Sequence, residues 1–143
     1  MRKVKIKVEG LSAGEAGQDE MTQETQGTLR HKNDKYYVVY EEPAATGLGK
    51  TKTTLRWDSE RVLLLRHGQV ECRQEFANDF EDHALYITPE LTIPLRTLTK
   101  ELQISQEVKS WQLEIKFQMQ IAGSEPNDMN LKIVIEEVDT DEC

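Results

Sequence analysis

The stretch WQLEIKFQMQI, residues 111–121, places Trp111, Leu113, Ile115, Phe117, Met119 and Ile121 at every second position, with Gln112, Glu114, Lys116, Gln118 and Gln120 between them. Side chains of an extended strand point alternately to its two faces, so this pattern predicts a β-strand with one buried face. At about 3.3 Å per residue such a strand is roughly 35 Å long, which favours a coiled sheet or barrel over a small flat sheet.

The same alternation recurs along the chain, and helical periodicity is nearly absent. Val4, Ile6 and Val8 mark a first strand, and others are predicted over 22–32, 35–42, 50–57, 61–67, 70–76, 83–88, 91–104 and 130–138. With 111–121 that makes about ten strands. Turn-forming composition separates them: GLSAGEAGQD, Lys32-Asn33-Asp34, EPAATGLG, Asp58-Ser59, His67-Gly68, Asn78-Asp79 and AGSEPNDMN. In 91–104 the apolar phase switches, since Leu91, Ile93 and Leu95 share one parity and Leu98, Leu102 and Ile104 the other. A bulge or bend near 94–97 would reconcile them. Short connections imply antiparallel neighbours, and without helices to cover a sheet face the economical solutions are a sandwich or a barrel. The expected fold is all-β, a closed or nearly closed antiparallel barrel of about eight to ten strands.

Size and charge bound the rest. A chain of 143 residues suits one domain, expected over 1–143 with 10–21 and 139–143 flexible. The opening MRKVKIKVEG alternates charged and apolar residues, unlike a signal peptide, and no apolar run approaches a membrane span. A soluble, cytoplasmic protein with no membrane partner is expected. The net charge of −8 opposes a polyanion, because nucleic-acid affinity depends on phosphate neutralisation. Two cysteines, Cys72 and Cys143, make neither a disulfide framework nor a metal knuckle.

Several short motifs imitate catalytic ones. Arg66-His67-Gly68 resembles the histidine phosphatase and phosphoglycerate mutase superfamily, whose phosphorylated histidine needs a second histidine and a clamp of arginines. Here another strand follows the motif and the only downstream histidine is His83. A hairpin corner explains the motif better. A two-residue loop, His67-Gly68 or Gly68-Gln69, would put Leu63 and Leu65 on the core side with Val70, Cys72 and Phe76, and Arg66 within reach of Glu71. Val62 and Leu64 would then face the other way. AATGLGKT, residues 44–51, approximates a phosphate-binding loop, but Ala44 replaces its first glycine and the β-branched TKTTLRW follows where a helix is required. His31, His67 and His83 lack metal-ligand spacing, so no metal or other cofactor is implied. Tyr36, Tyr37 and Tyr40 lie on a strand that is apolar on both faces.

In chain order, the residues Tyr37, Tyr40, Glu41 and Glu42, then Thr51, Thr53, Thr54 and Leu55, then Val62, Leu64, Arg66 and Gly68 carry a further likeness. Phe76, Tyr86, Thr88 and Thr97 continue it, and Asn130, Leu131, Ile133 and Ile135 complete it. Together they resemble the YwiB-like family of small bacterial proteins. The resemblance implies a lipocalin-like or calycin-like barrel of unestablished function, in which the residue between the arginine and glycine of Arg66-His67-Gly68 is free to vary. Pro89-Glu90 and Phe117 depart from the family pattern.

A barrel of this size offers a mouth for a small, partly apolar molecule without catalysis, by analogy of fold. Tyr40, Glu42, Thr54, Arg66, Tyr86 and Thr88 carry the resemblance without being required for packing, and are the expected polar contacts. The alternative is an interaction module, in which Val62 and Leu64, or Tyr36, Val38 and Tyr40, form a homodimer or partner surface.

Overall fold

Strands form wherever apolar residues alternate with polar ones. A computed structural model describes residues 2–14, 17–43 and 46–138. Its strands are β1 (Arg2–Gly14), β2 (Gly17–Lys32), β3 (Lys35–Glu41), β4 (Thr51–Trp57) and β5 (Arg61–Gly68). They continue as β6 (Cys72–Ala77), β7 (Glu81–Ile87), β8 (Thr92–Gln106), β9 (Ser110–Ile121) and β10 (Asn127–Glu137). All ladders are antiparallel. The single sheet has the order β6-β5-β4-β3-β2-β1-β10-β9-β8-β7, so every ladder joins consecutive strands except that of β1 with β10.

The two edges of this sheet, β6 and β7, bend toward each other. Glu71 and Ile87 exchange both backbone hydrogen bonds, each 2.9 Å long. Farther along the seam the Asp82 carboxylate accepts the Glu75 N–H at 3.3 Å, a side chain standing in for a ladder bond. Burial there pushes the Asp82 carboxyl above its ordinary pKa, against the Glu75 bond. The result is an all-β, nearly closed, ten-stranded barrel.

Its interior is a packed core. Val4, Ile6, Leu29, Val38, Leu55, Val62, Phe76, Leu113, Ile115 and Ile135 are all buried in one cluster. Each aliphatic side chain withdrawn from water contributes about 1.5–3 kcal/mol before its ordering cost. On β9 the odd-numbered residues from Trp111 to Phe117 are buried, as the alternation requires. Gly27 serves close approach: a Cβ there would meet the Val39 carbonyl oxygen and the Ile6 and Tyr40 side chains.

Three expectations are corrected. The turn-rich stretch 10–19 is not a connection in its described part, since β1 and β2 pair continuously from Arg2↔Leu29 to Gly14↔Gly17. On its other side β1 is paired to β10 as far as Ala13↔Asp128. Ladder bonds on both flanks override weak local propensity. Residues 15, 16 and 139–143 lie outside the described residues, and with them part of the flexibility expected for 10–21 and all of that expected for the end of the chain.

The phase change of β8 falls later than 94–97. The register shifts between Thr99 and Glu101, and buried Thr97 and Thr99 continue the inward parity of Leu95. Two threonines hid the pattern from a reading based on apolar residues. The turn between β6 and β7 satisfies the bulge: Asn78 Oδ1 accepts the Leu102 N–H at 2.8 Å, and Phe80 O accepts the Thr99 N–H at 2.9 Å.

The hairpin of β5 and β6 has a different register from either two-residue loop. Arg66 lies opposite Cys72, Leu64 opposite Gln74 and Val62 opposite Phe76. An odd connection, residues 69–71, exchanges the two faces. Val62, Leu64 and Arg66 therefore point inward, whereas Leu63 and Leu65 point outward, Leu63 flanked by Arg56 and Glu75. Gly68 makes the corner with φ of 136°, and a Cβ there would strike the Lys50 carbonyl. The inward Val62, Leu64, Tyr36, Val38 and Tyr40 are not an outer partner surface.

Candidate ligand-binding mouth

In an antiparallel meander the ends of even strands and the starts of odd ones meet at the same end of the barrel. His31 closes β2, Tyr36 opens β3, Trp57 closes β4, Ile104 and Gln106 close β8, and Trp111 opens β9. Their rings form one group. His31 stacks on Tyr36 with centroids 4.2 Å apart and planes 5° from parallel, and Tyr36 stacks on Trp57 at 5.4 Å and 16°. Trp111 closes the corner, tilted 52° to Tyr36 at 5.3 Å and 63° to Trp57 at 6.4 Å. Such offset and edge arrangements suit the ring quadrupoles.

A cavity of about 620 Å³ opens on these rings, with Ile104 and Gln106 in its wall and Asp34, Lys35, Asp58 and Glu60 around its rim. Both tryptophans are almost wholly buried, and among the described residues neither indole N–H has an acceptor. Asp58 accepts the Glu60 and Arg61 N–H groups, each at 2.9 Å. These bonds, the Glu60 one first, hold its carboxyl below the ordinary range despite partial burial.

The opposite end is polar and closed on itself. Tyr40 comes from the end of β3 and Glu42 directly follows that strand, Thr53 comes from the start of β4 and Arg66 from the end of β5. The Glu42 carboxylate accepts the Thr53 hydroxyl and lies 3.8 Å from Arg66 Nε. That separation gives an ion pair without hydrogen-bond geometry, so the buried Nε–H has no acceptor. Burial, then the Glu42 charge, pushes the Tyr40 hydroxyl up to about 12, with Arg66 and Thr53 opposing.

Of the six sequence-predicted contacts, Tyr40, Glu42 and Arg66 are thus brought together, but away from the aromatic cavity. Tyr86 is half-buried on β7. Thr54 lies on the outer face of β4, and Thr53 occupies the inward position beside it. Thr88 is half-buried and holds the turn after β7: its Oγ1 accepts the Leu91 N–H and donates to the Leu91 carbonyl, both at 3.1 Å. His67 is 86% exposed and lies 2.7 Å from the Glu71 carboxylate, the partner expected for Arg66. Among the described residues no group of three or more His, Cys, Asp or Glu side chains is placed to hold a metal ion, and no helix is long and apolar enough to cross a membrane.

The aromatic mouth was missed because tyrosine and tryptophan at alternating positions read as ordinary core. Their common place at strand ends was the available signal: in a meander, His31, Tyr36, Trp57 and Trp111 must share one rim.

Ten antiparallel strands around a filled interior define a β-barrel protein. The chain belongs to the family described as domain of unknown function DUF1934, which matches residues 6–133. It is similar to the uncharacterized beta-barrel protein YwiB of Bacillus subtilis (strain 168), with 25% identity over 133 residues, 93% of this chain and 92% of that protein. The crystal structure of the Bacillus subtilis YwiB protein matches with a TM-score of 0.86 at 25% identity, covering 96% of this chain and 93% of the other. The family and architecture anticipated from the sequence are therefore those found.

Proposed function

We propose that this protein is a non-enzymatic, cytoplasmic binding barrel that takes a small, partly apolar molecule at the mouth formed by His31, Tyr36, Trp57 and Trp111. The carrying observation is the aromatic-walled cavity of about 620 Å³ at the end of an otherwise filled barrel. That volume falls within the usual range for small-ligand sites, and a few polar groups around apolar walls are their usual composition. Any likeness to calycins is one of architecture, because the space lies at the rim while the centre is occupied by side chains. Native mass spectrometry of the protein purified from its own cells tests the reading. A retained small molecule, lost on Trp111→Leu in protein that still folds, is expected; a bare chain together with no binding from a metabolite extract counts against it.

A second reading is an interaction module. Leu85 and Ile87 on β7 and Leu91 in the turn that follows are 52%, 39% and 51% exposed. This apolar strip beside the seam would suit a homodimer contact. Light scattering showing a strict monomer at micromolar concentration removes that version.

A further inference from the structure

The hairpin of β1 and β2 outruns its neighbour on one side. β1 lies along β2 from Gly17 to Leu29, but β3 covers β2 only from Thr28 to Lys32. Among the described residues no strand pairs with the other edge of 17–27, a stretch roughly 35 Å long. Alternate residues of an antiparallel strand turn their backbone groups to opposite sides. The Glu20 N–H turns to the neighbouring Asp19 carboxylate, at 3.0 Å, instead of to β1. The even-numbered residues therefore carry the open row of backbone donors and acceptors.

Sheet edges are ordinarily blunted by proline, lysine or a bulge. GQDEMTQETQG, residues 17–27, has neither proline nor lysine, and its ladder with β1 runs without a register shift. Its charges, Asp19, Glu20 and Glu24, are all acidic, so they select which strand can be added. A second copy of the chain meets that condition. In a two-fold antiparallel pair, residues opposite each other lie on the same face of the sheet, so even numbers meet even numbers. Centring the pair on Thr22 sets Glu20 against Glu24, and centring it on Asp19, Glu20 or Glu24 sets an acid against itself. Centring it on Gln23 or later draws in Gly27, against which the β3 backbone already lies. Centring it on Met21 uses 17–25 alone and sets Glu20 against Thr22, Gln18 against Glu24 and Asp19 against Gln23. Every acid then faces an amide or a hydroxyl. The diagonal between Glu20 and the other copy's Glu24 is softened by Lys5, 3.6 Å from Glu24. Met21, 46% exposed and lying across Gly10 toward Leu131, gains apolar cover from its own copy.

We propose that two copies of this chain pair antiparallel along residues 17–25 of β2, with Met21 at the two-fold axis, so that the sheet runs on from one barrel into the next. The contact involves neither the aromatic mouth nor the apolar strip on β7. Each copy carries a net charge of −8, so salt relieves their mutual repulsion and tightens the pair.

Analytical ultracentrifugation of the full chain from about 10 to about 500 μM tests this. A monomer–dimer equilibrium is expected, tighter at about 300 mM than at about 30 mM sodium chloride. Thr22→Pro removes an outward N–H on an edge where proline is tolerated, and should weaken association at least about tenfold. Thr22→Lys sets a cation opposite each Glu20 and should strengthen association about fivefold. Lysine ordinarily blunts an edge, so this gain belongs to the Met21-centred register, and a loss overturns it. Cooperative thermal unfolding of both variants separates these effects from misfolding. A chain that stays monomeric throughout the range overturns the proposal. So does a dimer that survives Thr22→Pro and is lost on Ile87→Lys, which would move the contact to the strip on β7. A monomer that instead takes up an alternating lysine–threonine octapeptide, more weakly as salt rises, also overturns it and makes the edge a receptor for basic strands.

Discussion

The two ends of this barrel use buried polar groups in opposite ways. At one, Glu42 accepts the Thr53 hydroxyl and neutralises Arg66, burial and then the Glu42 charge raise the Tyr40 hydroxyl pKa, and the Arg66 Nε–H is left without an acceptor among the described residues. At the other, four rings pack by face and edge beneath a cavity, and the two buried indole N–H groups have no acceptor among the described residues. Buried donors are therefore left over at both ends, but the polar end sets charge against charge, whereas the end that reads as core has a cavity lined by its rings. Polar residues inside a protein signal function only when their partners leave something over.

This contrast can be broken by mutation. The largest effect is expected at the aromatic end: Trp57→Ala should cost about 3–5 kcal/mol in urea unfolding, because a fully buried ring leaves a cavity that β-strands cannot collapse around. At the polar end, Glu42→Ala should cost about 2–3 kcal/mol, by stranding the Thr53 hydroxyl and the partly buried Arg66 charge. Replacing both charges, Glu42→Leu with Arg66→Met, should recover most of that loss, and failure to recover would show that the pair has a role beyond neutralising itself.

Tyr40 links the same end to pH. Its proton is held more tightly in the folded chain than in the unfolded one, since its pKa is pushed from 10.0 up to about 12. The resulting stabilisation is complete below pH 10 and disappears as pH rises toward 12, a loss on the order of 2 kcal/mol. Tyr40→Phe should flatten that alkaline decline in denaturant midpoints measured across the range. Gly68→Ala, at the corner beside Arg66, should cost about 1–2 kcal/mol through its positive φ and the Lys50 carbonyl. His67→Ala, one residue earlier, is expected to change Tm by no more than about 2 °C, as its side chain meets mainly water and Glu71.

Legibility in the sequence followed the same division between pattern and packing. Trp111–Ile121 announced its strand because every inward position is apolar, and the other strands followed wherever that held. It failed where threonine, arginine or glutamate faced inward. Thr97 and Thr99 hid the bulge, Thr53 lost its place to Thr54, and Val62 and Leu64 looked misplaced because Arg66 was assumed to face water. The hairpin register was beyond reach for another reason: inserting a single residue in the turn exchanges the faces, and local composition does not count residues in a loop. Tyr40, Glu42 and Arg66 were found through family likeness, although their meeting depends on side-chain geometry between β3 and β5.

The ring closes twice, and the two closures differ in kind. Between β6 and β7 a connection of residues 78–80 keeps the partners close, yet among the described residues a single backbone bridge, Glu71↔Ile87, holds them. Between β1 and β10 almost the whole sequence intervenes, and a continuous ladder runs from Val4↔Glu137 to Ala13↔Asp128. Loop entropy makes the second junction slow to find, and hydrogen bonding makes it hard to lose. Transient opening of the native ring should consequently begin at the junction that is quickest to reform, so that amide exchange would be fast along Cys72–Ala77 and Glu81–Ile87 while the distant pair remains protected.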